Sequence, residues 1–184
     1  MNAILNNNDS GVSGFFVCFT TVIALCMICV LSLFAISDDS DAWIGEEFTQ
    51  GDITYQITSD SEVKVINGNG QITEFNGDII VNHCNNDYKI TRIGDRAFQN
   101  CSSLSKVVIP KYIVEIGENA FYGCTNITSV EIPDTVTSIG NGAFRKCVGL
   151  TSIIIPDSVI SIGEFAFGNC DKLATAVLGN GIAP

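Results

Sequence analysis

The chain reads as an α/β repeat solenoid. It is a stack of about four 23-residue units, each a β-strand followed by one short helical turn. A β-hairpin caps the N-terminal end, and a separate hydrophobic helix precedes it. Three observations predict this. Columns of matching residues recur at a spacing of 23, a short stretch in each unit alternates apolar and polar residues, and an apolar run of 22 residues without a charge stands before the first unit. A fixed period between about 20 and 50 residues is the mark of a stacked architecture.

Gly94, Gly117, Gly140 and Gly163 form one column, and Ala97, Ala120, Ala143 and Ala166 a second. Phe98, Phe121, Phe144 and Phe167 follow, then Cys101, Cys124, Cys147 and Cys170, then Leu104, Ile127, Leu150 and Leu173. Ile109, Ile132 and Ile155 precede Pro110, Pro133 and Pro156. In the second unit the inward set is Ile116, Ala120, Phe121, Cys124, Ile127, Val130, Ile132 and Val136. One unit alone cannot bury these side chains. The entropy of ordering a residue, about 1–2 kcal/mol, outweighs what a single coil gains, so about three stacked units are needed.

Each element has a local reason. Thr128–Ile132 alternates, with Val130 and Ile132 inward and Ser129 and Glu131 outward, which predicts a half-buried strand. Pro133 ends it, having no N–H for the ladder. The Gly117 column predicts a tight turn of permissive φ. Glu118-Asn119-Ala120-Phe121 then reads as one helical turn, with Asp95, Glu118, Asn141 and Glu164 near its N-terminus. The recurring I-G-x-x-A-F-x-x-C-x-x-L-x-x-V-x-I-P pattern resembles the BspA-like leucine-rich repeat, from residue 51 to the end and most clearly from Ile90. The resemblance implies a surface protein that binds other proteins or cells.

Upstream, residues 1–14 read as a polar tail. Phe15 to Ile36 is long enough to cross a bilayer. No Lys or Arg precedes it, so it carries no orientation signal. Ala35-Ile36-Ser37 and Ser40-Asp41-Ala42 both resemble cleavage sites. A retained transmembrane anchor and a cleaved signal both stay open, and both place the repeats outside the cytoplasm. A buried core helix is a third reading. Cys18, Cys26 and Cys29 read as apolar filler.

Residues 37–46 form an acidic linker, residues 47–89 a β cap, and residues 90–184 the repeats. In the cap, Ile53–Ile57 and Glu62–Ile66 alternate around Ser59-Asp60-Ser61 and predict a hairpin. Residues 79–81 predict another strand, and Asn85-Asn86-Asp87 a turn into the first repeat. The cap covers the apolar end of the stack. At the other end, residues 178–182 begin a further coil that no cap closes. This predicts either a longer array or self-association at that edge.

Chemistry finds few footholds. His83 is the only histidine in the chain, so a nucleophile–His arrangement would have to use it. The cysteine column is 23 residues apart, not the close spacing of a zinc site; stacked thiols with parallel Cβ vectors suit apolar burial better than disulfides. No cofactor and no enzymatic activity are expected. The formal net charge is −11 and Arg145-Lys146 is the only adjacent basic pair, which argues against nucleic acid. Ten acids and one base, Lys64, lie between Asp38 and Asp78, a solubilising excess. Asn100-Cys-Ser102 and Asn126-Ile-Thr128 match the glycosylation sequon.

Function is expected on the outward strand positions, which differ in every copy. They are Lys106 and Val108, Ser129 and Glu131, Ser152 and Ile154, and Thr175 and Val177. Val108, Ile154 and Val177 predict an apolar stripe interrupted at Glu131. Branched residues also simply suit strands. The expected partner is an extracellular protein or glycoprotein. Tyr112, Tyr122 and Arg145 sit at variable turn positions and are of types favoured at interfaces.

Overall fold

The computed structural model describes residues 43–76, 80–84 and 86–182. The expected tail at residues 1–14, the hydrophobic helix at 15–36 and the linker up to 42 lie outside these. Among the described residues no helix is long and apolar enough to cross a membrane.

Among the described residues thirteen strands follow in chain order: β1 (Glu47–Gln50), β2 (Ile53–Ser59), β3 (Glu62–Gly68), β4 (Glu74–Asn76), β5 (Val81–His83), β6 (Asn86–Ile93), β7 (Lys106–Val108), β8 (Glu115–Ile116), β9 (Ser129–Glu131), β10 (Ser138–Ile139), β11 (Ser152–Ile155), β12 (Ser161–Ile162) and β13 (Thr175–Leu178). They form a β-solenoid of about five turns. One sheet runs β1-β2-β3-β6-β8-β10-β12, with β5 pairing β6. The other runs β13-β11-β9-β7-β4 and is parallel throughout. Each coil adds one strand to each sheet. The apolar columns fill the space between, and all eight inward residues expected in the second unit are at most 5% exposed. The phenylalanines form a face-to-face ladder: Phe98–Phe121 and Phe121–Phe144 at 5.1 Å, and Phe144–Phe167 at 5.5 Å, tilted by no more than 9°.

The short helical turn is not formed; among the described residues there is no α-helix. The reason is where the amides go. In the first unit the N–H groups of Arg96, Phe98 and Asn100 donate to the carbonyls of Glu118, Ala120 and Tyr122 in the next coil, at 2.7–2.8 Å. Those of Ala97, Gln99 and Cys101 close on the carbonyls three residues back, at 3.0–3.3 Å. A helix would use every amide along its own axis. Here alternate amides serve the neighbouring coil, so the turn side is a third ladder. Asp95 and Asn141 accordingly accept from the N–H groups of Glu118 and Glu164, 23 residues on, at 2.8 Å. They tie coils together and cap no helix.

The glycine column has a different role from the expected one. None of Gly94, Gly117, Gly140 and Gly163 has a positive φ. They are glycine because coils touch there: a Cβ on Gly140 would lie 2.7 Å from backbone atoms of Gly117 and Glu118. The left-handed conformation falls at two other columns. Arg96, Asn119, Gly142 and Phe165 have φ of 53–60°, and Asn100, Gly123, Lys146 and Asn169 have φ of 58–73°.

The hairpin of the cap is β2 and β3, paired antiparallel around Asp60-Ser61. β1 adds a third antiparallel strand, and β3 passes the sheet to the repeats by pairing in parallel with β6. The expected turn at 85–87 is shifted. Asn86 already opens β6, and the left-handed residue is Cys84, φ 49°. β4 is the counterpart of β7 one coil earlier, with Ile72 and Phe75 standing where Leu104 and Val107 stand, but outside the 23-residue spacing. Phe75 precedes Phe98 by 23 residues, yet it sits on β4 opposite Val107. Its ring meets Phe98 at 47°, outside the regular ladder.

Candidate functional site

All eight outward strand residues lie exposed on one face of the five-stranded parallel sheet. Strand alternation sends Val107, Val130 and Ile153 into the core and their neighbours to solvent. Register then sorts the neighbours into two rows. Lys106 pairs with Glu74, and Ser152 pairs with both Ser129 and Thr175. In the second row Val108 lies between Asn76 and Glu131, and Ile154 between Glu131 and Val177. Adjacent members are about 4.8 Å apart.

The second row is the unusual one. Ile154 is 61% exposed, Val177 51% and Val108 38%. Glu131 stands between Val108 and Ile154 without a salt-bridge partner among the described residues. In the first row Lys106 Nζ lies 3.4 Å from Glu74 Oε2, an exposed pair that contributes little to stability. The face is therefore an apolar strip with one carboxylate in it, flanked by a hydroxyl-rich row. β13 is the outer strand among the described residues. Its inward positions Ala176 and Leu178 are exposed, whereas Ile153 and Ile155 opposite them are buried.

Sequence reasoning missed Glu74 and Asn76 on this face, because β4 lies outside the 23-residue spacing. The alternation of Thr73-Glu74-Phe75-Asn76 was the available signal. Of the aromatic turn residues, Tyr112 is 41% exposed under Lys89 and Lys111, and Tyr122 lies under Lys146. Neither is on the strand face.

The cysteine column is buried at Cys101, Cys124 and Cys147 and half-buried at Cys170, with no disulfide. Burial pushes the Cys147 thiol up to about 12 and that of Cys124 higher. Thiols held neutral this way are neither nucleophiles nor ready metal ligands. His83 stacks on Phe48 at 4.1 Å. Its Nε2 lies 3.5 Å from both Glu46 Oε1 and Cys84 Sγ. A catalytic relay needs the nucleophile and the orienting acid on opposite ring nitrogens; here both meet the same one.

Two short strands and one tight turn per coil, stacked in register around a column of inward leucine-type residues, define a leucine-rich repeat solenoid. Residues 71–183 match the BspA type leucine rich repeat region in six copies. The match takes in more than half of the chain, and the chain belongs to this family.

Among solved structures the chain is similar to a leucine-rich repeat protein from Bacteroides capillosus, at 23% identity and a TM-score of 0.63, covering 72% of this chain and 97% of that one. That likeness speaks for the fold. A leucine-rich repeat protein from Bacteroides ovatus is 29% identical with a TM-score of 0.55, over 71% of this chain and 40% of that one. A leucine rich cell surface protein from Faecalibacterium prausnitzii is 26% identical with a TM-score of 0.55, over 74% of this chain and 44% of its own length. The chain thus spans less than half of the length of these last two. Among curated proteins, none matches the chain.

Proposed function

We propose that this protein is a non-enzymatic binding scaffold displayed outside the cytoplasm, and that it adheres to an extracellular protein or glycoprotein through the face formed by β4, β7, β9, β11 and β13. The observation that carries this is the exposed row Val108, Glu131, Ile154 and Val177. Apolar side chains at regular spacing on a rigid sheet are a poor choice for a surface that meets only water. The cell-surface description of the Faecalibacterium relative supports the location, as does the apolar run at residues 15–36, as a retained anchor or a cleaved signal. Four or five strands make a small footprint, so single-site affinity is weak and gains from multivalent display.

The test compares the full chain with a Lys106→Glu/Ile154→Asp variant for attachment to immobilised matrix proteins and to whole cells. The reading expects attachment to be lost while the melting temperature holds. Equal attachment by both would overturn it. Protease shaving of intact cells tests the location: repeats protected until lysis would refute display. A second reading is self-association along β13, favoured by its four exposed residues. It expects concentration-dependent sedimentation that a charge at Val177 abolishes.

A further inference from the structure

The turn side of the stack carries features that neither the core nor the strand face explains. A shallow recess of about 580 Å³ runs along it, lined by Asn100, Tyr122, Thr125, Lys146, Asn169 and Asp171. These residues come from four successive coils, so the recess follows the stacking direction with a step of about 4.8 Å. Asn100, Lys146 and Asn169 occupy the left-handed column where Gly123 is the unstrained choice, with φ of 60°, 61° and 58°. Asparagine tolerates this conformation, whereas Lys146 costs about 1–2 kcal/mol of backbone strain there. Strain kept at exposed positions is a reason to look for function.

The chemistry of the recess is mixed in a particular way. Lys146 Nζ lies 5.2 Å from the Tyr122 ring centroid. Arg145 occupies the position equivalent to Tyr122 one coil on. Its guanidinium sits 5.5 Å over Phe165, and its buried Nε has no acceptor. Phe165 is itself left-handed and 68% exposed. In a chain of net charge −11 this is the only adjacent basic pair, and Asp171 is the only acid lining the recess.

We propose that this recess binds an extended acidic oligosaccharide lying along the stack. Asparagine amides both donate and accept, as sugar hydroxyls do. Thr125 adds a hydroxyl that does both, and Asp171 a carboxylate that accepts from a sugar hydroxyl. The Tyr122 ring offers a flat apolar face to the C–H side of a sugar. Lys146 attracts a carboxylate or sulfate group, and Arg145, beside the recess and not in its lining, adds positive charge. A protein partner would call for a larger apolar centre than the recess has. The site is separate from the strand face and does not depend on it.

The experiment measures binding of the full chain to immobilised heparin, polygalacturonate and dextran. The decisive variant is Tyr122→Gln/Lys146→Asn, which copies the Gln99-Asn100 pair of the first coil and so keeps a sequence this backbone already accommodates. Heparin or polygalacturonate should bind and dextran should not, the first two separating sulfate from carboxylate recognition. The variant should bind at least tenfold more weakly with an unchanged melting temperature. Tyr122→Phe should retain binding, since it keeps the ring. Undiminished binding by the double variant, equal binding of dextran, or no binding to either acidic glycan would each overturn the proposal. An Ile154→Asp variant should bind as the wild type does, and loss of binding there would also count against this site.

Discussion

The thiol of Cys124 donates to the carbonyl oxygen of Phe98, 26 residues upstream in the preceding coil, at 3.0 Å. Cys147 makes the same bond to Phe121 at 3.1 Å and Cys170 to Phe144 at 3.1 Å. Each thiol is thus a small apolar filler that also gives one buried carbonyl a second donor, the first being an amide three residues on. An alanine fills most of the space and leaves the Phe98 oxygen with the Cys101 N–H alone. Cys124→Ala is expected to lower stability by about 0.5–1.5 kcal/mol, read from urea unfolding.

The same burial sets a pH dependence. Cys147 starts from an ordinary value of 9.0 and is raised to about 12 in the fold. The unfolded chain therefore loses its thiol proton first. Stability is fully present below pH 9.0, and it falls as the pH rises from there towards about 12. The slope per thiol is about 1.4 kcal/mol per pH unit. Cys147→Ala should make this fall shallower by one thiol's share, the other buried cysteines keeping theirs, measured by denaturation at a series of pH values. An unaltered slope would contradict the assignment.

The ring ladder is not equally strong along its length. Phe121 is fully buried between two neighbours at 5.1 Å, whereas Phe167 is half-buried and stacks on one. Phe121→Ala should cost about 3–5 kcal/mol and Phe167→Ala clearly less. Thermal unfolding of the two variants side by side checks the order.

Glycine positions divide by cause. At Gly140 a methyl group meets backbone at 2.7 Å, so Gly140→Ala should cost about 1–3 kcal/mol through overpacking. Phe165→Gly removes strain instead, and its melting temperature should stay level or rise. A fall would mean that Phe165 packs in a way its 68% exposure does not suggest.

The inward columns were legible in the sequence because each residue repeats one environment: Phe98, Phe121 and Phe144 are interchangeable by translation. The outward residues of β7, β9, β11 and β13 followed from the same alternation. What was not legible is whatever depends on the next coil. Gly117 looked like a turn residue, but it is small because a Cβ there would meet Gly94 and Asp95 of the neighbouring coil. Glu118-Asn119-Ala120-Phe121 had the composition of a helical turn, but its amides go sideways. β4 was missed because Phe75 and its structural equivalent Val107 are not one 23-residue period apart. Phe165 showed a signal that was overlooked, being the one aromatic in a column of Arg96, Asn119 and Gly142.

The sideways ladders also set how the molecule carries a load. Each coil holds to its neighbour by many parallel hydrogen bonds and touches nothing beyond it. A pull on the ends therefore strips coils one after another instead of breaking the whole at once. Each released coil of 23 residues adds about 75–80 Å of slack, so the stack yields in steps and works as a fuse with as many stages as it has repeats.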